Sequence, residues 1–236
     1  MSVALITGAS RGIGAATART FAASGHQLLL VARPSADFHR LTDELRETGA
    51  RVETAEIDLS DPEAIGPGVR ELCSRGLAPT LVVNNAGAAW TGPLADMPLD
   101  RWQWLLQLNL TSVFQVCQTV VPLLRAAGGG LIVNVSSHAA RNAFPGWGAY
   151  CASKAALASF GRCLAEEERG NGIRVSTLTL GSVNTPLWES ETVQSSFDRR
   201  AMLSVDQVAR TLLFLADQPP QQVVEDLTLM PAVGAF

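Results

Sequence analysis

Short runs of apolar, largely β-branched residues alternate along this chain with longer stretches that have the length and spacing of helices. The runs at 3–6, 27–31, 51–57, 80–84, 130–136, 174–180 and 226–230 read as strands. The segments at 13–24, 36–48, 61–75, 99–127, 149–168 and 204–217 read as helices. Punctuation supports several of these boundaries. Ser60 fits the N-cap of the third helix with Pro62 in its first turn, and Gly25 and Gly49 follow the ends of the first two.

Strands this apolar, each separated from the next by a helix, are buried on both faces, which means a parallel sheet covered by helices. Right-handed crossovers then predict an α/β fold: a doubly wound, seven-stranded parallel sheet with helices on both faces and ligands outside the carboxyl ends of the strands. No linker, repeat or low-complexity stretch divides the chain, so residues 1–236 are expected to form a single domain.

Composition narrows the function classes. With 47% hydrophobic and 17% charged residues the chain reads as globular, and a net charge of −4 without a basic block argues against nucleic acid as a partner. Cys73, Cys117, Cys151 and Cys163 show no paired spacing, and His26, His39 and His138 are isolated, so no metal site is expected. Reduced thiols, an opening without a basic leader and the lack of a membrane-length apolar run together suggest a cytoplasmic protein away from membranes.

Candidate chemistry begins after the first strand, at Thr7-Gly8-Ala9-Ser10-Arg11-Gly12-Ile13-Gly14. Glycines permit a tight turn and let backbone approach a pyrophosphate, whose charge meets the N–H groups opening the next helix. The spacing is neither G-x-G-x-x-G nor a P-loop, and a glycine turn without a ligand would carry the same letters.

Scarcity marks a second position. Tyr150 and Lys154 are the only tyrosine and the only lysine in the chain, and they stand four residues apart. On a helix that spacing puts both on one face, about 5–6 Å apart at Cβ. A positive charge about 5 Å from a phenol, at an effective dielectric near 20, is worth roughly 3 kcal/mol. That predicts a phenol held below its ordinary range and ready for proton transfer.

These motifs, with Asn84-Asn85-Ala86-Gly87, Asn109 and Ser137, occur in an order and spacing that resemble the short-chain dehydrogenase/reductase superfamily, in its single-domain branch of roughly 250 residues. The resemblance covers nearly the whole chain. It implies a Rossmann-type fold, NAD or NADP as cofactor, and hydride transfer between the nicotinamide and a carbonyl or alcohol carbon. Carried over to this sequence, Tyr150 is the acid/base and Lys154 lowers its pKa and holds the nicotinamide ribose. Ser137, 13 residues before Tyr150, bonds the substrate oxygen. Strand alternation lets only one of Ser136 and Ser137 face the site, and the family spacing favours Ser137. Asn109 would distort its helix and anchor a water that relays protons to Lys154, although a buried Asn satisfying a neighbouring loop would look the same.

The same resemblance assigns Gly8, Ser10, Arg11, Gly12, Ile13 and Gly14 to the cofactor loop, and Asn85, Ala86 and Gly87 to the turn beside the adenine ribose. Asp58 and Leu59 fall beside the adenine, though Asp58 would equally suit a turn. Gly181, Val183 and Thr185 hold the carboxamide side. An NAD-preferring relative would carry an acid near Ala32, and this chain has Arg33 instead, with Arg11 in the glycine loop. Two guanidiniums favour a 2′-phosphate and hence NADP(H), unless both are simply solvated.

One departure stands out. Leu180 replaces the proline that the family usually shows before Gly181, which removes a fixed φ from that loop. The substrate end is less legible. Trp90, Phe144, Trp147 and Trp188 could form an apolar pocket, with His138 and Asn142 as polar contacts, and the segment 186–200 is short for a lid. The expected activity is that of an NADP(H)-dependent carbonyl reductase or alcohol dehydrogenase, working on a small molecule as a homodimer or homotetramer through its long helices. The alternative is a catalytically idle NADP-binding or scaffolding protein on the same fold.

Overall fold

A computed structural model describes residues 2–195 and 197–234. All seven expected strands form: β1 (Val3–Thr7), β2 (Gln27–Ala32), β3 (Val52–Glu56), β4 (Leu81–Asn84), β5 (Gly130–Ser137), β6 (Ile173–Leu180) and β7 (Asp226–Leu229). They pair in parallel in the order β3-β2-β1-β4-β5-β6-β7. Helices α1 (Gly12–Ala23), α2 (Ala36–Glu47), α3 (Pro62–Ser74), α4 (Leu99–Leu106), α5 (Ser112–Ala126), α6 (Gly148–Glu168) and α7 (Val205–Ala216) cover both faces.

The period of two in the strands separates the layers. Ala4 and Ile6 of β1 pack with Phe21, Leu41 and Leu212 of α1, α2 and α7. Val3 and Leu5, pointing the other way, pack with Ile65, Val116 and Leu157 of α3, α5 and α6. Apolar residues on both faces of a strand can be satisfied only by such a sandwich.

Two expectations need correction. The single helix expected over 99–127 is broken by a π-helical turn at Gln107–Thr111, with Asn109 buried inside it. The N-cap of α3 is Asp61, not Ser60. Asp58 Oδ1 accepts hydrogen bonds from Ser60 N and Oγ at 2.9 and 2.7 Å, so that hydroxyl is already engaged, and Asp61 accepts from Glu63 N instead. Gly25 and Gly49 do follow α1 and α2 with positive φ.

The strand order reverses at β1, whose neighbours are β2 on one side and β4 on the other. Loops leaving the carboxyl ends of β1 and β4 diverge there and open a crevice, the usual ligand position of an open parallel sheet.

Candidate active site

A cavity of about 650 Å³ fills this crevice and extends past the ends of β5 and β6. Every residue singled out from the sequence as catalytic or cofactor-binding lines it except Gly14 and Asn109. Those two sit behind its wall.

The floor is built by a close approach of two loops. A Cβ on Gly14 would lie 2.2 Å from the Gly8 carbonyl oxygen, so only glycine lets α1 start against the turn. A Cβ on Gly8 would meet the Ala86 Cα at 2.9 Å, and Gly8 has φ +67° besides. Asn85 fastens the loops together: its Nδ2 donates to the Thr7 and Gly8 carbonyls at 2.9 and 3.3 Å. The Thr7 hydroxyl accepts from Asn85 N and Ala86 N at 3.0 and 3.1 Å. Thr7, which opens the glycine motif in the sequence, here closes β1 and ties the two loops through its hydroxyl.

The start of α1 is open toward this floor. Arg11 occupies the N-cap in an extended conformation without a side-chain capping bond, and no acid stands in the first turn. Backbone donors left uncapped at a helix start favour an anion. Arg11 and Arg33 both line the cavity, and neither guanidinium makes a hydrogen bond or ion pair among the described residues. Burial pushes the Asp58 carboxyl up, but the bonds from Ser60 and the nearby charge of Arg33 outweigh it and hold Asp58 below its usual range.

Farther along, α6 presents Tyr150 and Lys154 to the cavity, with the Lys154 Nζ 5.8 Å from the Tyr150 ring centroid. Lys154 is buried, and its ammonium donates to the Val135 carbonyl at 3.0 Å. Burial lowers its pKa to about 8. The phenol does not follow the electrostatic expectation: burial pushes Tyr150 up, and a hydrogen bond with Ser137 offsets only part of this. Desolvation penalises the phenolate and the ammonium alike, so the pair, a half-buried phenol beside a buried ammonium, moves toward neutrality. Ser137 at the end of β5 also caps the following turn, accepting from Ala139 N at 3.2 Å. Ser136 also lines the cavity, so both serines border the site where strand alternation was expected to admit only one; its hydroxyl is buried and has no partner among the described residues.

Asn109 supports the site from the π turn. Its amide accepts from Ala88 N and donates to the Ala88 carbonyl, both at 2.9 Å, and donates to Ser153 Oγ at 3.0 Å. Ser153 Oγ in turn donates to the Tyr150 carbonyl at 2.8 Å. The amide therefore joins the loop after β4 to the first turns of α6, and the extra residue of a π turn carries it inward.

The loop with Leu180 in place of proline is anchored through its backbone. Gly181 N donates to the Leu229 carbonyl at 2.9 Å, Leu203 N to the Ser182 carbonyl at 3.0 Å, and Asn184 N to the Leu203 carbonyl at 2.8 Å. Ser182 Oγ, which lines the cavity, is buried without a partner.

Of the aromatic and polar candidates, Phe144, Trp147, Trp188 and His138 line the cavity. Trp90 does not: its ring lies over Gly92, where a Cβ would come within 2.5 Å of it. Asn142 is likewise outside the lining and bonds the His138 carbonyl and ring instead. The sequence reading missed Trp104, Phe197 and Glu191, which come from an interrupted helix and an irregular segment without periodicity. Residue 196, within the segment 186–200, lies outside the described residues.

A seven-strand parallel sheet with a glycine turn at its switch point defines a Rossmann-like domain, and comparison with known proteins narrows this to one class of oxidoreductases. Residues 2–195 match the short chain dehydrogenase family, and the chain belongs to it. It is 32% identical to sulfoacetaldehyde reductase 2 of Chromohalobacter salexigens over 245 residues, 99% of this chain and 96% of that protein. It spans only 18% of glycine betaine reductase ATRR of Emericella nidulans, at 29% identity. A metagenomic short-chain oxidoreductase in complex with NADP superposes with a TM-score of 0.85 at 31% identity, covering 98% of this chain and 97% of that one. L-sorbose reductase of Gluconobacter frateurii, complexed with NADPH and L-sorbose, gives 0.88 at 28% identity, covering 98% and 95%. Among the described residues no helix is long and apolar enough to cross a membrane, and no cluster of metal-ligating side chains occurs.

Proposed function

We propose that the protein is an NADP(H)-dependent carbonyl reductase or alcohol dehydrogenase, with residues 1–236 forming its single catalytic domain in the cytoplasm. The observation that carries this reading is the convergence of Tyr150, Ser137 and Lys154 on the cavity whose floor is the glycine turn. The residues present suit the dinucleotide. Gly8 and Gly14 allow the close approach of the two loops that forms the floor, the α1 donors are uncapped, and Ser136 and Ser182 hold polar atoms without partners among the described residues.

Gly8, Ser10, Arg11, Gly12 and Ile13 would hold the pyrophosphate, with Gly14 keeping the turn tight, and Arg11 and Arg33 the 2′-phosphate. Asp58, Leu59, Asn85, Ala86 and Gly87 would flank the adenosine, and Gly181, Val183 and Thr185 the carboxamide. Bound there, NADPH supplies the hydride. Ser137 orients the substrate oxygen. Tyr150, whose phenol is kept protonated through neutral pH by burial, gives its proton to that oxygen. Lys154 binds the nicotinamide ribose and, while charged, favours loss of the Tyr150 proton. Asn109 fixes the loop after β4 against α6 and so positions Tyr150 and Lys154 relative to the floor.

The test is loss of NADPH absorbance against a panel of ketones, aldehydes and diketones. Turnover of any of them is expected. A protein that binds NADPH but turns over none would instead be the idle, scaffolding member of the fold.

An exposed apolar contact supports assembly into an oligomer. Phe114 on α5 is 46% exposed and meets Phe160 of α6 edge to face at 6.4 Å, an apolar stripe on the two long helices. A symmetric contact would cover it. Light scattering at micromolar concentration is expected to give a dimer or tetramer, and a mass near 25.0 kDa would overturn this.

A further inference from the structure

The charges lining the cavity are unevenly distributed. Its cations are Arg11, Arg33 and Lys154. The first two belong to the end proposed for the cofactor phosphates, and the third is engaged with the Val135 carbonyl. Beyond Tyr150 the described lining contains one carboxylate, Glu191, which is exposed and makes no ion pair or hydrogen bond among the described residues, together with the imidazole of His138, and no arginine or lysine. Arg199, in the same segment as Phe197, is taken up by Asn184, the Thr185 carbonyl and Glu189, and does not line the cavity.

The wall itself is aromatic and pinned. Trp147 meets the Tyr150 ring at 5.7 Å, Trp188 meets Trp147 at 5.7 Å, and Phe197 meets Trp188 at 5.6 Å, each edge to face. The Trp188 indole N–H donates to the Val183 carbonyl at 2.7 Å, so its polar atom is spent on the backbone. Hydroxyls nearby are spent likewise: Ser190 Oγ donates to the Leu187 carbonyl and Thr192 Oγ1 to the Ala89 carbonyl. This run of rings recognises a flat apolar group by edge and face contact, with the Trp147 indole N–H, which makes no hydrogen bond among the described residues, and the ring of His138 as its polar atoms. No arginine or lysine among the described residues at this end offsets the desolvation of a carboxylate, sulfonate or phosphate.

We infer that the substrate is an uncharged aryl carbonyl compound or the corresponding alcohol, its ring held against Trp147 and Trp188 and its oxygen at Tyr150, and that anionic substrates are excluded by Glu191 and the lack of an arginine or lysine among the described residues at that end. This rests on the reductase reading above and specifies its substrate. It also separates this chain from a relative whose named substrate, sulfoacetaldehyde, is an anion.

The experiment uses NADPH and three aldehydes: 4-carbamoylbenzaldehyde, 4-carboxybenzaldehyde and propanal. The first two share the ring and a para substituent of similar size but differ in its charge, and the third lacks the ring. Because an ionised carboxylate withdraws electrons less than a carbamoyl group, the charge effect is read from the Glu191→Gln comparison. The expected order in kcat/KM is carbamoyl above carboxylate and above propanal, each by about tenfold or more, the effect of one lost ring pair or one unpaired charge. Glu191→Gln is expected to raise the carboxylate-to-carbamoyl ratio by roughly threefold or more at low ionic strength. Trp188→Phe, which keeps a ring and loses the anchoring N–H, is expected to raise KM for the aryl aldehyde more than for propanal. Equal or better turnover of propanal or of the carboxylate overturns the substrate inference alone. No reduction of any aldehyde here or in the wider panel overturns the reductase reading, and the inference with it.

Discussion

Replacing Tyr150 by Phe is expected to lower kcat by about 10²–10⁴-fold, the usual contribution of a positioned general acid, while NADPH binding stays close to that of the parent. The substitution removes one oxygen and leaves the edge-to-face contact with Trp147, the helix and the glycine turn in place. Binding is read by fluorescence titration and turnover by absorbance, so a failure of folding is distinguishable from a failure of chemistry. A Phe variant that keeps most of its kcat would remove Tyr150 from the acid role. The parent's pH profile carries the same assignment. Burial raises the phenol and lowers Lys154 to about 8, so both are protonated below that value. Reduction should therefore be fastest below about pH 8 and decline as pH rises through it, with the ammonium lost first.

Arg33→Ala is expected to weaken NADPH roughly 10- to 150-fold, the equivalent of one charge-assisted hydrogen bond of about 1.5–3 kcal/mol. NADH lacks the 2′-phosphate and should be nearly unaffected, so the ratio of kcat/KM for the two cofactors should collapse toward unity. Because Arg33 makes no hydrogen bond or ion pair of its own among the described residues, its removal breaks none within the protein. Its through-space hold on Asp58 would weaken. Arg11→Ala should act in the same direction but less cleanly, since Arg11 is also the N-cap of α1. An acid at Ala32 should go further by repelling the phosphate. Ionic strength must be fixed, because exposed charges are screened. A parent that prefers NADH, or an Arg33→Ala variant that loses both cofactors equally, would refute the NADP reading.

Much of this was legible in the residues because the relevant signals are local. A central parallel strand is apolar throughout, so β1, β2, β5 and β6 stand out from any neighbouring segment. The scarcity of phenol and ammonium drew attention to Tyr150 and Lys154, which do line one cavity. What was not legible depends on distant atoms. The position of the helix break follows from Asn109 reaching the Ala88 backbone, which no periodicity reveals. The Tyr150 phenol is raised and not lowered because desolvation acts on both partners, a property of the surrounding fold that the four-residue spacing does not carry. The aromatic wall was only half visible, since Phe197 and Glu191 lie where neither a period of two nor one of 3.6 applies.

The fastening of the glycine turn by Asn85 has a consequence for how the chain is made. Asn85 bonds Thr7 across 78 positions, and β1 takes its second neighbour only when β4 arrives. At about 5–20 residues per second, β1 waits on the order of 4–16 seconds during synthesis for that partner. For that interval its row of unpaired amides and carbonyls, flanked by the wholly apolar side chains of Val3 to Ile6, is an open template for another nascent strand. The strand at the heart of the finished sheet is therefore the point of greatest exposure to misassembly on the ribosome, and slow decoding between residues 32 and 81 would lengthen it.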